Sequence, residues 1–268
     1  MLSHLKHKVP IKLFMIGYLA ALLSYSSFRI GVYDRFLSGF VLIALYIIFD
    51  LLWTYWRDTI WYLPFSSVIS GFLLAIVGSA GGNFALVIAA LVAVFSKQVL
   101  HFGKERHIFN PAAFSLTTLS LVSLVSPSNF AFGPTWWAVS WVSPAYVWGT
   151  QVFWALCLVG IFILWRQNRF HVALPFLGVY AVGLWRIFSL DPTTIFFMTV
   201  MLIEPITSSF SSKKKEAWYG ALVGAGAVFC TLLSSMSIPL FDTIDPLLGG
   251  LLIGNGIAAL AFLPRRLV

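Results

Sequence analysis

The sequence is poor in charge and in cysteine, and each shortage excludes a class of protein. Charged residues make up only 10% of the chain, whereas soluble domains carry about 25%. Hydrophobic residues make up 60% of the 268 positions, which is more than a soluble core of this size can bury, so we predict a polytopic membrane protein. The two cysteines, Cys157 and Cys230, lie inside apolar runs. This placement predicts small buried side chains rather than a disulfide or metal ligands.

Several functional motifs are also missing. The sequence has no Ser-His-Asp set, P-loop, dinucleotide fingerprint, iron–sulfur spacing or zinc spacing, so hydrolase and ATPase functions have no support. No catalytic residue and no metal ligand is predicted. The net charge of +8 comes without a basic stripe interleaved with aromatic residues, and we therefore expect no nucleic-acid partner.

What the chain does contain is a series of apolar runs. A membrane helix needs about 20 apolar residues, and ten segments reach or approach that length. The third is interrupted by Pro64 and by Ser70-Gly71, and the eighth is too short to cross alone. Residues 126–145 hold three Trp, three Pro and no charge, which predicts a loop at the membrane interface. The ten segments are residues 11–28, 36–56, 61–79, 83–100, 111–125, 146–165, 171–188, 192–203, 217–236 and 247–263.

The basic residues predict the orientation of these segments. With ten crossings and the N-terminus inside, all but three of the 17 Lys and Arg residues fall on the cytoplasmic side. The exceptions are Arg29, Arg35 and Arg186. This distribution follows the positive-inside rule, so we predict one all-α integral membrane domain over residues 1–268, in the lipid bilayer, with both termini in the cytoplasm.

The two halves of the chain, residues 11–125 and 146–264, share an outline. In each half a short or interrupted segment is followed by a full one and by a helix that starts at a polar residue before Pro. These starts are Asn110-Pro111 in the first half and Asp245-Pro246 in the second, where Asp191-Pro192 also opens the short segment. Matched broken segments indicate a midplane site between repeats. We therefore expect two pseudo-symmetric halves with broken or half helices.

Asn110-Pro111 is the first candidate site. Asn is a favoured N-cap and Pro is favoured at the first helical position, so a helix is predicted to begin at Pro111. A charged turn with His101, Lys104 and His107 comes just before it. The helix start either caps an ordinary surface helix or faces a ligand, and both alternatives stay open here.

Glu204 is the second candidate, because it follows eleven uncharged residues. A carboxylate inside a membrane segment is costly and indicates a functional site. The alternative is an interfacial Glu204 that pairs with the cluster of Lys213, Lys214 and Lys215. The nearby hydroxyl of Thr207 is expected to line the same polar pocket.

Three further expectations concern single residues. Ser70-Gly71 allows either the close approach of a flat ligand or tight packing of helices. Asp50 is expected to pair with Arg57 at the cytoplasmic end of the second segment. Arg186 is expected to pair with Asp191 near the outer surface.

Three blocks of sequence resemble the NqrB/RnfD family, the membrane subunits B of sodium-pumping NADH:quinone reductase and D of the Rnf electron-transport complex. The blocks are SVISGFLLAIV at residues 67–77, FSKQVLHFGKERHIFNPAAF at 95–114 and FFMTVMLIEPITSS at 196–209. The resemblance implies a fold similar to that of urea transporters. It also implies an integral subunit of a flavin-linked electron-transport complex, which couples redox to ion transport across the bacterial inner membrane beside other membrane subunits.

The resemblance also implies a flavin cofactor. Family members carry FMN attached to a Thr within an S/T-G-A-T site, and some bind riboflavin. Residues 126–150 contain no such tetrapeptide, so we expect FMN or riboflavin to be held without a covalent bond. The alternative is a non-redox transporter or channel for a small polar solute or a flavin, and a third possibility is a subunit that only docks partners. The candidate cofactor-binding residues are Ser70, Gly71, Lys97, Asn110, Pro111, Glu204 and Thr207.

Overall fold

The computed structural model describes residues 10–79, 81–102, 106–126, 132–140 and 147–262, and it is predominantly helical. Helices of the first half are α1 (Ile11–Ile30), α2 (Tyr33–Asp58), α3 (Phe65–Val77), α4 (Asn83–Gln98) and α5 (Pro111–Val125), with a small antiparallel hairpin of β1 (His101–Phe102) and β2 (Arg106–His107) between α4 and α5. The rest are α6 (Trp137–Ser140), α7 (Val147–Gln167), α8 (Phe170–Gly183), α9 (Pro192–Phe196), α10 (Pro205–Ser208), α11 (Lys213–Ser235), α12 (Pro239–Thr243) and α13 (Pro246–Phe262).

Three helices of the described chain are long and apolar enough to cross a membrane, namely α1, α2 and α11. Shorter apolar helices of 10–17 residues overlap the other seven predicted segments. The protein is therefore a helical membrane protein. The number of crossings, the orientation and the pseudo-symmetry stay predictions.

Helix starts agree closely with the local sequence. The Asn110 side chain accepts a hydrogen bond from the Ala113 amide at 3.0 Å, and Pro111 is the first residue of α5. Asp191 caps α9 in the same way, through the Thr194 amide at 2.8 Å. The start of α5 is confirmed. The expected break at Ser70-Gly71 is wrong, because both residues lie inside α3, which is continuous from Phe65 onward.

The short eighth segment is broken, as predicted. Helix α9 runs directly into a π-helical turn, Phe197–Met201, in which the Leu202 amide donates to the Phe197 carbonyl at 2.9 Å. The chain then leaves the helix at Glu204 and starts again as α10. A π turn holds one more residue per hydrogen-bonded loop than an α-helical turn. Such turns occur frequently at functional sites.

Much of the described part of the Trp-rich connection, including Trp136 and Trp137, packs inside the protein, and its place at a membrane interface stays a prediction. Trp136 and Trp137 are only 6% and 2% exposed. The Trp137 indole donates to the Ala75 carbonyl at 2.8 Å, and the Trp136 indole donates to Asp245 at 2.6 Å. Indole rings suit an interface and a core equally well, so hydropathy alone does not separate the two. The remaining positions, 127–131 and 141–146, lie outside the described residues.

Each half builds its own helix cluster, and the clusters meet along α5 and α13. In the first half α3 packs against α1 and α2, while α4 packs against α2 and α5. In the second half α11 packs against α8 and α13. A side chain added at Gly220 would meet the Val172 carbonyl at 2.1 Å, so only glycine lets α8 and α11 approach this closely.

Candidate functional site

The two candidate sites of the sequence meet in the structure. The Asn110 side-chain amide donates to Glu204 Oε2 at 3.0 Å, although the residues lie 94 positions apart. On the same carboxylate, His107 Nε2 lies 3.3 Å from Oε1, and the Thr207 hydroxyl lies 3.4 Å from Oε2. Residues of both halves therefore contribute to a single polar centre. Asn110 both caps α5 and orients Glu204.

Glu204 does not use the lysine cluster that the sequence offered as its alternative partner. Its described partners are the side chains of His107, Asn110 and Thr207. Lys215 instead lies over the ring of Phe262, at 6.0 Å from the ring centre. The Glu204 side chain is 18% exposed, whereas that of His107 is 4% exposed. The carboxylate is thus held mainly by hydrogen-bond donors, and part of it faces open space.

That space is a partly open cavity of about 230 Å³ between α1, α3 and the broken segment. Its walls are mostly apolar and include Met15, Ile69, Leu73 and Ile203, with Glu204 at one side. Gln167, the last residue of α7, contributes a buried side-chain oxygen that has no hydrogen-bond partner in the described chain. A buried acceptor without a donor is costly. A hydrogen-bond donor that reached Gln167 Oε1 would therefore be stabilising.

A larger open basin of about 610 Å³ adjoins this cavity, and both are lined by Lys12 and Ile206. Around the basin stand Arg57, Lys97, His101 and His107, together with the acidic Asp58. The basin therefore carries an excess of positive groups, and it lies on the predicted cytoplasmic side. Lys104, which the sequence placed in the same turn, is outside the described residues.

Asp50 forms a second buried polar centre, and its predicted pairing with Arg57 is wrong. Lys97 Nζ lies 2.8 Å from Asp50 Oδ2, and Gln98 donates to Oδ1 at 2.6 Å. Arg57 instead pairs with Asp58 at 2.7 Å and donates to the Gln98 side-chain oxygen at 3.0 Å. The lysine reaches Asp50 from a different helix, so spacing along α2 did not reveal it.

The Lys97 ammonium is enclosed by oxygen atoms. Besides Asp50 it contacts Ser67 Oγ at 2.9 Å, Ser66 Oγ at 3.1 Å and Tyr62 Oη at 3.4 Å. The hydroxyls of Ser67 and Tyr62 also donate to the Asp50 carboxylate. Across the described residues, no group of three or more His, Cys, Asp or Glu side chains is placed to hold a metal ion.

Tyr62 lies in the connection between α2 and α3, where it covers Asp50. Burial raises the pKa of Tyr62 to about 12, and the hydrogen bond to the Asp50 carboxylate acts in the same direction. The phenol therefore stays protonated well above neutral pH, and it remains a donor to Asp50.

The remaining candidates have packing roles. Gly71 faces α2, where an added side chain would meet the Ile43 backbone at 3.0 Å, so of its two open alternatives the geometry favours helix packing. Ser70 is 4% exposed inside α3. Pro111 is buried at the first turn of α5. Arg186 lies over the ring of Trp185, and no ion pair joins it to Asp191 among the described residues, so that predicted pair is wrong.

A third polar cluster was not anticipated from the sequence. Arg169, at the start of α8, pairs with Glu216 at 3.0 Å, and the same carboxylate contacts His171. Arg169 also reaches Ser209 and the Ser208 carbonyl, just after α10. These contacts fix the C-terminal end of the segment that starts at Glu204. Glu216 directly follows three lysines, and no local pattern there indicates a pair with Arg169.

No protein-family model matches the chain, and no curated protein is significantly similar to it in sequence.

Proposed function

We propose that the protein is an integral membrane subunit of a flavin-linked electron-transport complex, of the type to which its three sequence blocks are similar. In this proposal it works with other membrane subunits and couples redox to ion transport across the membrane. The observation that carries the proposal is the meeting of Asn110 and Glu204 beside a cavity between the halves. Both residues belong to the blocks that carry the resemblance.

The cavity suits the ring system of a flavin better than a small ion. A flavin ring is flat and largely apolar, with polar atoms along one edge, and the walls are apolar with polar groups on one side. Gln167 Oε1 is an unpaired acceptor there, which an N–H of the ring would satisfy. When bound, the flavin would supply a carrier that takes up electrons and passes them on.

The adjoining basin has room for the part of the flavin beyond its ring system. Ligand sites typically measure about 300–1,000 Å³, so the 230 Å³ cavity takes only the ring. A ribityl chain, with or without its phosphate, would extend into the basin near Lys12 and Arg57. The predicted absence of a covalent acceptor agrees with a flavin held by these contacts alone. Glu204, oriented by Asn110 and His107, would face the ring as a hydrogen-bond acceptor.

The test is whether flavin belongs to the protein. The full chain is purified from membranes in mild detergent, and its visible spectrum is recorded before and after denaturation and filtration. We expect flavin absorbance that leaves with the filtrate. Flavin-free protein should quench the fluorescence of added riboflavin or FMN, and Gln167→Ala should weaken this binding about tenfold through the lost hydrogen bond. A colourless protein that quenches neither flavin contradicts the proposal.

A second candidate, a non-redox transporter of a small polar solute or a flavin, is favoured by one observation. The open basin leads to the broken segment at Glu204, and discontinuous helices form the substrate sites of many transporters. Uptake of riboflavin into proteoliposomes without any electron donor would support this candidate. Flux that depends strictly on a donor would favour the electron-transport subunit.

A further inference from the structure

The ammonium group of Lys97 occupies a cluster of oxygen atoms that resembles a cation site. Its ammonium nitrogen contacts four oxygen atoms, at 2.8 Å from Asp50, 2.9 Å from Ser67, 3.1 Å from Ser66 and 3.4 Å from Tyr62. We propose that this oxygen cage is a binding site for a monovalent cation, and that Lys97 is a tethered competitor for it. The proposal rests on the ion-transport part of the proposed function, but its tests need no flavin, so either proposal can fail without the other.

Charge and size both select a monovalent ion. The cage has one carboxylate and three neutral hydroxyls, so one positive charge balances it. With the lysine in place, the oxygen atoms lie at the distances of ammonium hydrogen bonds, which are longer than the 2.0–2.1 Å of Mg²⁺–oxygen and the 2.3–2.6 Å of Ca²⁺–oxygen contacts. They suit ammonium and alkali cations of similar size. A divalent ion would leave an uncompensated charge beside a carboxylate that is 0% exposed.

The cage does not depend on the lysine for its shape. Gln98 holds Asp50 Oδ1 at 2.6 Å, while the hydroxyls of Ser67 and Tyr62 donate to Oδ2. Each hydroxyl keeps its oxygen lone pairs for a cation when its proton points to Asp50. The anion would therefore stay in place if the ammonium left.

The open basin has room for the Lys97 side chain if a cation displaces it. It is the penultimate residue of α4, its side chain is 12% exposed, and it lines the open basin. The Asp58 carboxylate lines the same basin, so a displaced ammonium would stay near an acidic group. Exchange of a free cation for the ammonium leaves the net charge around Asp50 unchanged. The basin would then gain a lysine amine whenever the cage holds an ion.

The first test removes the competitor. Lys97→Ala is purified in choline chloride, and its Tm is measured in choline, sodium, potassium and ammonium chlorides at equal ionic strength. We expect at least one small cation to raise the Tm saturably by about 5 °C over choline. The double variant Asp50→Asn/Lys97→Ala lacks the anion and should show no such selectivity. The same Tm in all four salts overturns the proposal.

The second test uses the wild-type chain, so it decides even if Lys97→Ala does not fold. Acetylation of Lys97 by acetic anhydride is followed by mass spectrometry in up to 1 M choline, sodium or potassium chloride; ammonium chloride is left out because ammonia consumes the anhydride. We expect a rate at least about threefold higher with the cation that fills the cage than with choline, because a displaced amine loses its ion pair. The exposed Lys214 serves as the internal control and should react equally in all salts. Equal rates at Lys97 overturn the proposal.

Discussion

Asp50 in the first half and Glu204 in the second are acidic groups inside a membrane protein, and they are stabilised in different ways. Asp50 is fully buried and pairs with the ammonium group of Lys97. Glu204 keeps 18% of its side chain exposed, and it relies on a histidine, an amide and a hydroxyl. Asp50 is thus neutralised by the fold itself, whereas Glu204 is only oriented by it and faces a cavity. The difference makes Glu204, and not Asp50, the carboxylate of the proposed flavin site.

Removal of the basic partner should separate the two sites most strongly. Lys97→Met leaves a carboxylate buried without a cation, so in choline buffer we expect a loss of about 3–5 kcal/mol in the free energy of unfolding. His107→Gln keeps a hydrogen-bond donor for Glu204 and should cost less than about 1 kcal/mol. Unfolding in detergent, followed by circular dichroism, measures both losses. Lys214→Met controls for a lost surface charge, and equal losses at Lys97 and His107 would contradict the contrast.

The double role of Asn110 gives the next largest effect. Asp191→Ala removes only a helix cap, which costs about 1 kcal/mol. Asn110→Ala removes a cap and also a donor to the Glu204 carboxylate, so we expect a loss of about 2–3 kcal/mol. The difference between the two variants should vanish in the Glu204→Leu background, which has no acceptor for Asn110, if the second contact causes it. A difference that persists there would assign it to packing around α5.

Local sequence patterns predicted much of the fold, because caps and apolar runs act over a few residues. Asn110-Pro111 and Asp191-Pro192 start helices where the sequence placed them. Contacts between residues that are distant in sequence were harder to predict. Asp50 finds Lys97 at a separation of 47 residues, although Arg57 is closer in sequence. The sequence did not predict that Trp136 is buried, because the indole ring has the same apolar character in a protein core and at a membrane interface.

The candidate site was only half predictable. Sequence singled out Asn110 and Glu204 separately, since a cap before Pro and a carboxylate after an apolar run are each unusual. Their contact requires α5 and the broken segment to meet, which no local pattern encodes. Gln167 could not have been chosen, because a glutamine at the end of a membrane helix is ordinary until its oxygen is found buried without a donor.

Glu204→Gln should change stability little and ligand binding more. The amide keeps the size of the side chain and can still accept from Asn110, so we expect a loss of about 1 kcal/mol or less in unfolding free energy. Riboflavin binding, measured by fluorescence quenching, should weaken about tenfold because the charged acceptor beside the cavity is gone. Asp34→Asn, at an exposed position of α2, is the matched control for loss of one acidic charge. Unchanged flavin affinity would remove Glu204 from the proposed site.

The smallest expected effect is the loss of stability at high pH that Tyr62, the residue covering Asp50, contributes. An unfolded tyrosine loses its proton near pH 10, whereas Tyr62 in the fold holds it to a pKa of about 12. Because the folded state binds the extra proton, stability should fall as pH rises from about 10 to 12. Tyr62→Phe should show a shallower fall over this window, and all other tyrosines cancel in the difference. Parallel curves for the two proteins would exclude a contribution from Tyr62.

The π-helical turn at Phe197–Met201 has a consequence for chain length. An α-helix that loses one residue rotates everything beyond the deletion by about 100°. A π turn already contains one surplus residue, so a deletion there converts it to an ordinary α-helical turn and leaves both flanks in register. Removal of Met198 should therefore keep Glu204 directed at Asn110, whereas removal of Ala89 from the middle of α4 should turn Lys97 away from Asp50. The segment that carries the exposed carboxylate can change its length by one residue without losing its partner across the halves.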